Sequence, residues 1–125
     1  MSDTIRVSPL PKTWILDLDG TLVKHNGYKL DGHDTLLPGA REFLANIHEE
    51  DLVIIVTSRA EGYRAQTLEF LRNQAIRYDH IIFNAPYGER ILVNDRKPSG
   101  LTTAIAVNTK RDEVSAIRYI IKNNL

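Results

Sequence analysis

The chain contains no cysteine, which excludes disulfides, thiolate zinc sites and a thiol nucleophile in one step. It also carries no net charge, with 16 basic residues set against 16 acidic ones, so nothing in the balance points to a nucleic-acid coat or an anionic membrane surface. No apolar run approaches the roughly 18 residues of a membrane span. Residues 1–12 are polar, with Pro9 and Pro11, and lack the apolar core of a signal peptide, so a cytoplasmic location is the expectation. Repeats and low-complexity stretches are missing as well. What remains is ordinary for a globular protein: 42% hydrophobic and 26% charged residues in a chain of 125. That length suits a single domain over 1–125 with one core and no second module, preceded by a polar arm over 1–12.

The chain is organised around Thr13-Trp14-Ile15-Leu16-Asp17-Leu18-Asp19-Gly20-Thr21-Leu22. Trp14 to Leu16 has the length and bulk of a buried strand. With a period of two, Asp17 and Asp19 share a face where that strand stops. Two carboxylates held so close disfavour each other unless a cation or a shared proton intervenes. Gly20 permits a turn that a side chain would resist. Asn26-Gly27 is a strong hairpin signal, since both residues tolerate the positive φ of a type I′ turn, and the expectation is a small hairpin flap over 21–33.

Pro38-Gly39 precedes a helix with Ala40, Phe43, Leu44 and Ile47 at i, i+3, i+4 and i+7. Leu52 to Val56 is almost wholly apolar and β-branched, the composition of a parallel strand covered on both faces. It ends in Thr57-Ser58-Arg59. A helix is expected over 61–73, with Ala65, Leu68, Leu71 and Ala75 on one side. Further strands are expected at His80–Phe83, at Arg90–Val93 ending in Asn94-Asp95, and at Thr103–Val107. Asp112 is placed to cap a final helix that buries Val114, Ile117, Ile121 and Leu125. Alternating strands and helices imply an α/β fold, a Rossmann-like three-layer αβα sandwich with a five-stranded, mainly parallel sheet.

Ligands of open α/β sheets sit at the carboxyl ends of the strands. Three polar clusters end three of the expected strands: Asp17/Asp19, Thr57/Ser58 and Asn94/Asp95. The first resembles the opening motif of the haloacid dehalogenase superfamily of phosphotransferases, an apolar strand followed by Asp-x-Asp-Gly-Thr. The order of the other two clusters extends the resemblance from residue 13 to about 110. It implies a phosphomonoester hydrolase in which Asp17 is the nucleophile, forming an aspartyl-phosphate, and Asp19 is the general acid and then the base. Thr57 and the following backbone N–H are implied to hold a phosphoryl oxygen. Asp17, the Asp19 carbonyl, Asp95 and Asn94 are implied to form an all-oxygen shell that suits Mg²⁺. Gly20, Thr21, Ser58, Arg59 and Tyr87 are the expected substrate contacts.

The superfamily also places a Lys or Arg beside the nucleophile, and three residues compete for that place: Lys97, Arg64 and Arg90. Lys97 follows the last polar cluster closely and is slightly preferred. Arg64 sits in Tyr63-Arg64-Ala65-Gln66-Thr67-Leu68, which resembles the Arg-x-x-Thr helix of relatives of polynucleotide phosphatases. An arginine on a helix more often simply faces water.

The resemblance implies no cap domain, because the first gap holds only the flap and the second spans about Asn84 to Glu89. Such an open site accepts bulky substrates or borrows a lid from a second copy of the chain. His25, Tyr28 and Lys29 of the flap, and the 84–89 loop, remain to touch substrate. Short capless members linked to capsular and surface-polysaccharide synthesis are similar, which makes a small sugar or polyol phosphate the first substrate expectation, with no membrane or nucleic-acid partner. A nucleotide or polynucleotide-end phosphatase is the second. A phospho-accepting switch module is the non-enzyme reading, and it leaves Asp19 without a purpose. The four histidines lack metal-ligand spacing, and Trp14 reads as core or subunit contact.

Overall fold

The structure is a computed structural model that describes residues 4–114 and 117–125. Five strands and three helices follow in chain order: β1 (Thr4–Val7), β2 (Thr13–Asp17), α1 (Gly27–Leu30), α2 (Ala40–Ala45), β3 (Leu52–Val56), α3 (Arg64–Asn73), β4 (His80–Ile82) and β5 (Arg118–Ile121). A 3₁₀ turn at Glu61–Tyr63 leads into α3.

β2, β3 and β4 form a parallel sheet in that order, and α2 and α3 supply the crossovers that parallel neighbours require. Thr13 pairs with Leu52 and Asp17 with Val56, so the two strands end level with each other. Val53 and Ile55 of β3 are fully buried while Ile54 and Val56 between them are half-buried. The strand therefore has one deep face, not the two expected from its composition. Leu16, Leu18, Leu22, Leu37, Ala40, Leu44 and Ile47 join Val53, Ile55, Leu71 and Ile76 in one contiguous core. On α3 the inward residues are Thr67 and Leu71, and Ala65 and Ala75 of the expected stripe are exposed. The polar Thr67 is drawn inward because it has a buried partner, described below. Trp14 closes the edge of the core. Its ring meets Phe43 edge-on at 5.7 Å and Tyr119 at 5.1 Å, and its Nε1–H donates to Asp51 at 2.9 Å.

The expected five-stranded sheet is not what the described residues form. The sheet around β3 has three strands, and β1 pairs with β5 in a separate parallel two-stranded sheet. Arg90–Val93 and Thr103–Val107 lie outside any strand, and Ile91 and Val93 are 85% and 89% exposed. Strand propensity records fit to a pleated, half-buried surface, so a β-branched run without a ladder beside it stays irregular. The arm over 1–12, read as merely polar, contains β1. Its partner β5 occupies part of the expected final helix: Thr4 pairs with Arg118 and Val7 with Ile121. Tyr119, Ile120 and Ile121 suit a strand once a parallel partner is present. Val114 is buried and Ile117 packs on the core as expected, whereas Ser115 and Ala116 of that helix lie outside the described residues.

The flap is also redrawn. Asn26 does adopt positive φ (56°), but it opens the single helical turn α1 in place of a type I′ turn. The antiparallel pairing lies further out, where Lys24 N–H donates to Thr35 O and Leu37 N–H to Leu22 O, both at 2.9 Å. No helix among the described residues is long and apolar enough to cross a membrane.

Leu71 is fully buried where α3 meets the sheet, so Leu71→Ala is expected to cost about 2–5 kcal/mol through lost transfer energy and the cavity left behind. Urea unfolding followed by circular dichroism measures it, and a loss below half a kilocalorie would show that α3 does not pack there.

Candidate active site

The level ends of β2 and β3 bring the first two polar clusters together. Asp17 is the last residue of β2, opposite Val56, and Thr57 follows directly on β3. Beyond Asp17 the chain winds tightly: the Leu18 carbonyl accepts from the N–H groups of Thr21, Leu22 and Val23. Gly20 sits at φ +82°, with the Arg111 Cγ only 3.3 Å from where a Cβ would stand, so a side chain there meets both backbone strain and crowding. The Gly20 carbonyl accepts from Asp112 N–H at 2.7 Å, and the Asp112 carboxylate accepts from His25 N–H at 2.9 Å. Asp112 thus ties the turn to the flap, at a φ of 65°.

Each acid of the pair has its own arginine. Asp17 Oδ1 accepts from Arg90 Nη1 at 3.0 Å, and Oδ2 accepts from the Thr21 hydroxyl at 3.3 Å. Asp19 is held in a two-pronged pair by Arg59, with Nε to Oδ2 at 3.0 Å and Nη2 to Oδ1 at 2.9 Å. The charge problem posed by the Asp pair is met here by two guanidinium groups.

Arg59, an expected substrate contact, is turned inward. It is 3% exposed and uses all five N–H donors within the protein. Besides Asp19, it donates to Asp34 from Nη2 at 2.6 Å and from Nη1 at 3.0 Å, and from Nη1 to the Thr67 hydroxyl at 2.9 Å. Its flat face lies 3.9 Å from the centre of the Tyr28 ring, a stacked cation–π contact. Burial pulls the Arg59 pKa down, but the hydrogen bonds and charges of Asp19 and Asp34 outweigh it, and the net direction is upward. Tyr28, expected on the flap surface, is buried beneath this group and edge-on to Tyr63 at 4.8 Å. Burial and, after it, the nearby Asp19 charge raise its pKa.

Of the three basic candidates for the place beside Asp17, Arg90 makes the contact. Arg64 pairs with Glu61 at 2.7 Å and lies over the Phe83 ring. Lys97 is exposed in a turn whose carbonyl accepts from Gly100 N–H. Among the described residues neither reaches the Asp pair. The slight preference for Lys97 relied on a strand at Arg90–Val93 to carry it back, and the described residues form no strand there. Thr57 is buried, with its Oγ1 accepting from Arg59 N–H at 3.1 Å. The Ser58 hydroxyl donates to Pro86 O at 3.4 Å, and Tyr87 is 90% exposed.

The expected magnesium shell is not assembled. Asn94 and Asp95 stand in an exposed loop, where Asn94 Nδ2 donates to Thr103 O and the Asp95 carbonyl accepts from the Thr103 hydroxyl. Among the described residues no three His, Cys, Asp or Glu side chains are grouped to hold a metal. With the Asp17 and Asp19 carboxylates engaged by arginines, the residues as placed do not fit a hard cation that needs several oxygen ligands.

One functional neighbour was missed altogether. Asp34 carries no local signal, and only the need of a buried guanidinium for a second carboxylate points to it.

With this geometry in place, comparisons with known proteins bear on identity. The family model of NLI interacting factor-like phosphatases matches residues 12–90, well over half the chain. The chain belongs to that family. It is a phosphatase family of the haloacid dehalogenase-like superfamily, as the Asp-x-Asp-Gly-Thr motif implied. Among solved structures, a chain from "Structure of the Pnkp1/Rnl/Hen1 RNA repair complex" is similar, with a TM-score of 0.52 and 29% identity over 71% of this chain. The match spans only 30% of that longer chain. A comparison with curated proteins returned no match.

Removing the Arg59 charge strands two carboxylates, one of them almost fully buried. Arg59→Met is therefore expected to destabilise the fold by about 3–5 kcal/mol, read as a lowered urea midpoint. A variant as stable as the parent would mean that the pairs contribute nothing.

Proposed function

We propose that this domain hydrolyses phosphomonoesters through an aspartyl-phosphate on Asp17. The observation that carries the reading is the acid pair at the end of β2, level with Thr57 at the end of β3 and with Arg90 on the first acid. In the first step an Asp17 carboxylate oxygen attacks phosphorus, the bond from phosphorus to the ester oxygen breaks, and the Asp19 carboxyl proton passes to that oxygen to release the alcohol. In the second, Asp19 takes a proton from water as the water oxygen attacks phosphorus, freeing Asp17 and inorganic phosphate. Arg59 engages two of the roughly four lone-pair sites of Asp19, which leaves the others to exchange the proton. The Arg90 guanidinium offsets charge on Asp17 and on the approaching phosphoryl group. The Ser58 backbone N–H, with the Thr21 hydroxyl, is read as the hold on a phosphoryl oxygen.

Dependence on Mg²⁺ enters this reading through the superfamily alone, and no step above is routed through it. The substrate is read in two ways. A small sugar or polyol phosphate, as in surface-polysaccharide synthesis, follows from the resemblance of short capless members. A terminal phosphate on a nucleotide or nucleic-acid end is favoured by the likeness to the RNA repair complex. The whole chain acting as one domain, alone or with a second copy as lid, belongs to the same proposal.

Asp17→Asn is expected to reduce turnover of p-nitrophenyl phosphate by at least about 1,000-fold while leaving the melting temperature within a few degrees, because the covalent step has no substitute. Phosphate release quantified beside thermal melts decides it, and substantial residual turnover would remove Asp17 as nucleophile. Parallel assays in Mg²⁺ and in EDTA, over sugar phosphates and 3′- and 5′-phosphorylated oligonucleotides, are expected to show activity only with metal and a preference for one class. Equal activity in EDTA would sink the metal dependence.

A further inference from the structure

Asp34 does not belong to the acid pair, yet it holds the group that holds Asp19. Its side chain is 2% exposed, and both its oxygens accept from Arg59, at 2.6 Å and 3.0 Å. The Thr67 hydroxyl accepts from the same Nη1 at 2.9 Å, and the Tyr28 ring stacks 3.9 Å below. The inner part of the guanidinium is thus fixed by a carboxylate, a hydroxyl and a ring, and its remaining donors face Asp19. An arginine stem turns about several bonds, so a single carboxylate at one edge of the fork leaves it free to swing. Two carboxylates on adjoining edges fix its plane, and the plane of Asp19 follows from it.

We propose that Asp34 is a positioning residue which, through Arg59, sets the orientation of the Asp19 carboxyl toward the leaving oxygen of the substrate. The inference rests on the reading of Asp19 as general acid. Asp34 directly precedes the stem of the flap, in which Thr35 O accepts from Lys24 N–H and Leu37 N–H donates to Leu22 O. The aim of the proton donor is therefore linked to the seating of the flap on the Asp-x-Asp-Gly-Thr turn. Asp34 itself touches neither Asp17 nor the space beside it.

A leaving group that needs no proton separates this role from a general loss of structure. The nitrophenolate of p-nitrophenyl phosphate departs without help from an acid, whereas the alkoxide of β-glycerophosphate must be protonated. First-turnover release of each leaving group is measured in the full chain for the parent, Asp19→Asn and Asp34→Asn. Asp34→Asn is expected to slow β-glycerophosphate at least about 10-fold and p-nitrophenyl phosphate less than about threefold, because misaiming an acid forfeits part of its 10²–10⁴-fold contribution. Asp19→Asn is expected to shift the ratio further in the same sense. If Asp19→Asn shifts the ratio and Asp34→Asn slows both substrates equally, or neither, the positioning role is overturned and the acid assignment stands. If Asp19→Asn leaves the ratio unchanged, the acid assignment fails and takes the inference with it. Should Asp34→Asn fail to fold by circular dichroism, Thr67→Val, which removes one neutral bond to Nη1, is read in its place. A ratio shifted in the same sense sustains the proposal, and an unchanged ratio in folded Thr67→Val overturns it.

Discussion

A buried arginine makes the strongest demand in this molecule. Burying an unpaired guanidinium would cost several kilocalories per mole, and five N–H donors must all find acceptors where water is excluded. Arg59 meets that demand with Asp19 from the turn after β2, Asp34 from the flap stem and Thr67 from α3. Three segments far apart in sequence are therefore fixed relative to one another by one side chain. Tyr28 completes the enclosure from α1. The one-turn helix at the flap and the inward turn of polar Thr67 both become intelligible as consequences of that requirement.

The same logic separates the two acids. Asp17 and Asp19 would repel each other if left bare on one face. Arg59 takes the second from the interior side, and Arg90 takes the first from the exposed side. The two pairs differ in environment: Arg59 is almost wholly buried, while Arg90 and Asp17 are both partly open to solvent. A solvent-exposed ion pair contributes little to stability, so the Arg90 contact is the easier of the two to break. The Arg59 contact is costly to break and suits a part that stays in place. The buried pair holds Asp19 in place, and the exposed pair leaves Asp17 on the solvent side.

The NLI interacting factor-like phosphatase family match covers β2, β3, α3 and β4, and with them both acids and Arg59. The match ends at residue 90, the arginine that reaches Asp17. The 71% of the chain shared with the RNA repair structure bears on the fold at the same level. Beyond residue 90 the chain adds β5, paired with β1 outside the β2–β3–β4 sheet, and contacts on the turn after β2. Asp112 binds the Gly20 carbonyl and the His25 N–H, and Arg111 packs over Gly20. The carboxyl-terminal region thus closes over the same turn that β2 launches.

The parts determined by sequence alone are those in which short-range physics suffices. An apolar run ending in Asp17-Leu18-Asp19-Gly20-Thr21 specifies a strand and a tight turn within a few residues, and so reveals the superfamily, although Ile15 of that strand is exposed rather than buried. The β-branched run of β3 and the periodicity of α2 are legible for the same reason, whereas the inward face of α3 is set by the partner of Thr67. Tertiary structure alone decided whatever depends on a distant partner. Arg90–Val93 has strand composition and no ladder, while Arg118–Ile121 has a helical pattern and finds β1. The choice among Lys97, Arg64 and Arg90 turned on which guanidinium or ammonium the chain path delivers to Asp17. Arg59 looked like a substrate contact because its position after Thr57-Ser58 does not reveal its burial. Asp34 carried no signal, since its role exists only where a buried charge needs a second counter-charge, and burial is a property of the assembled fold.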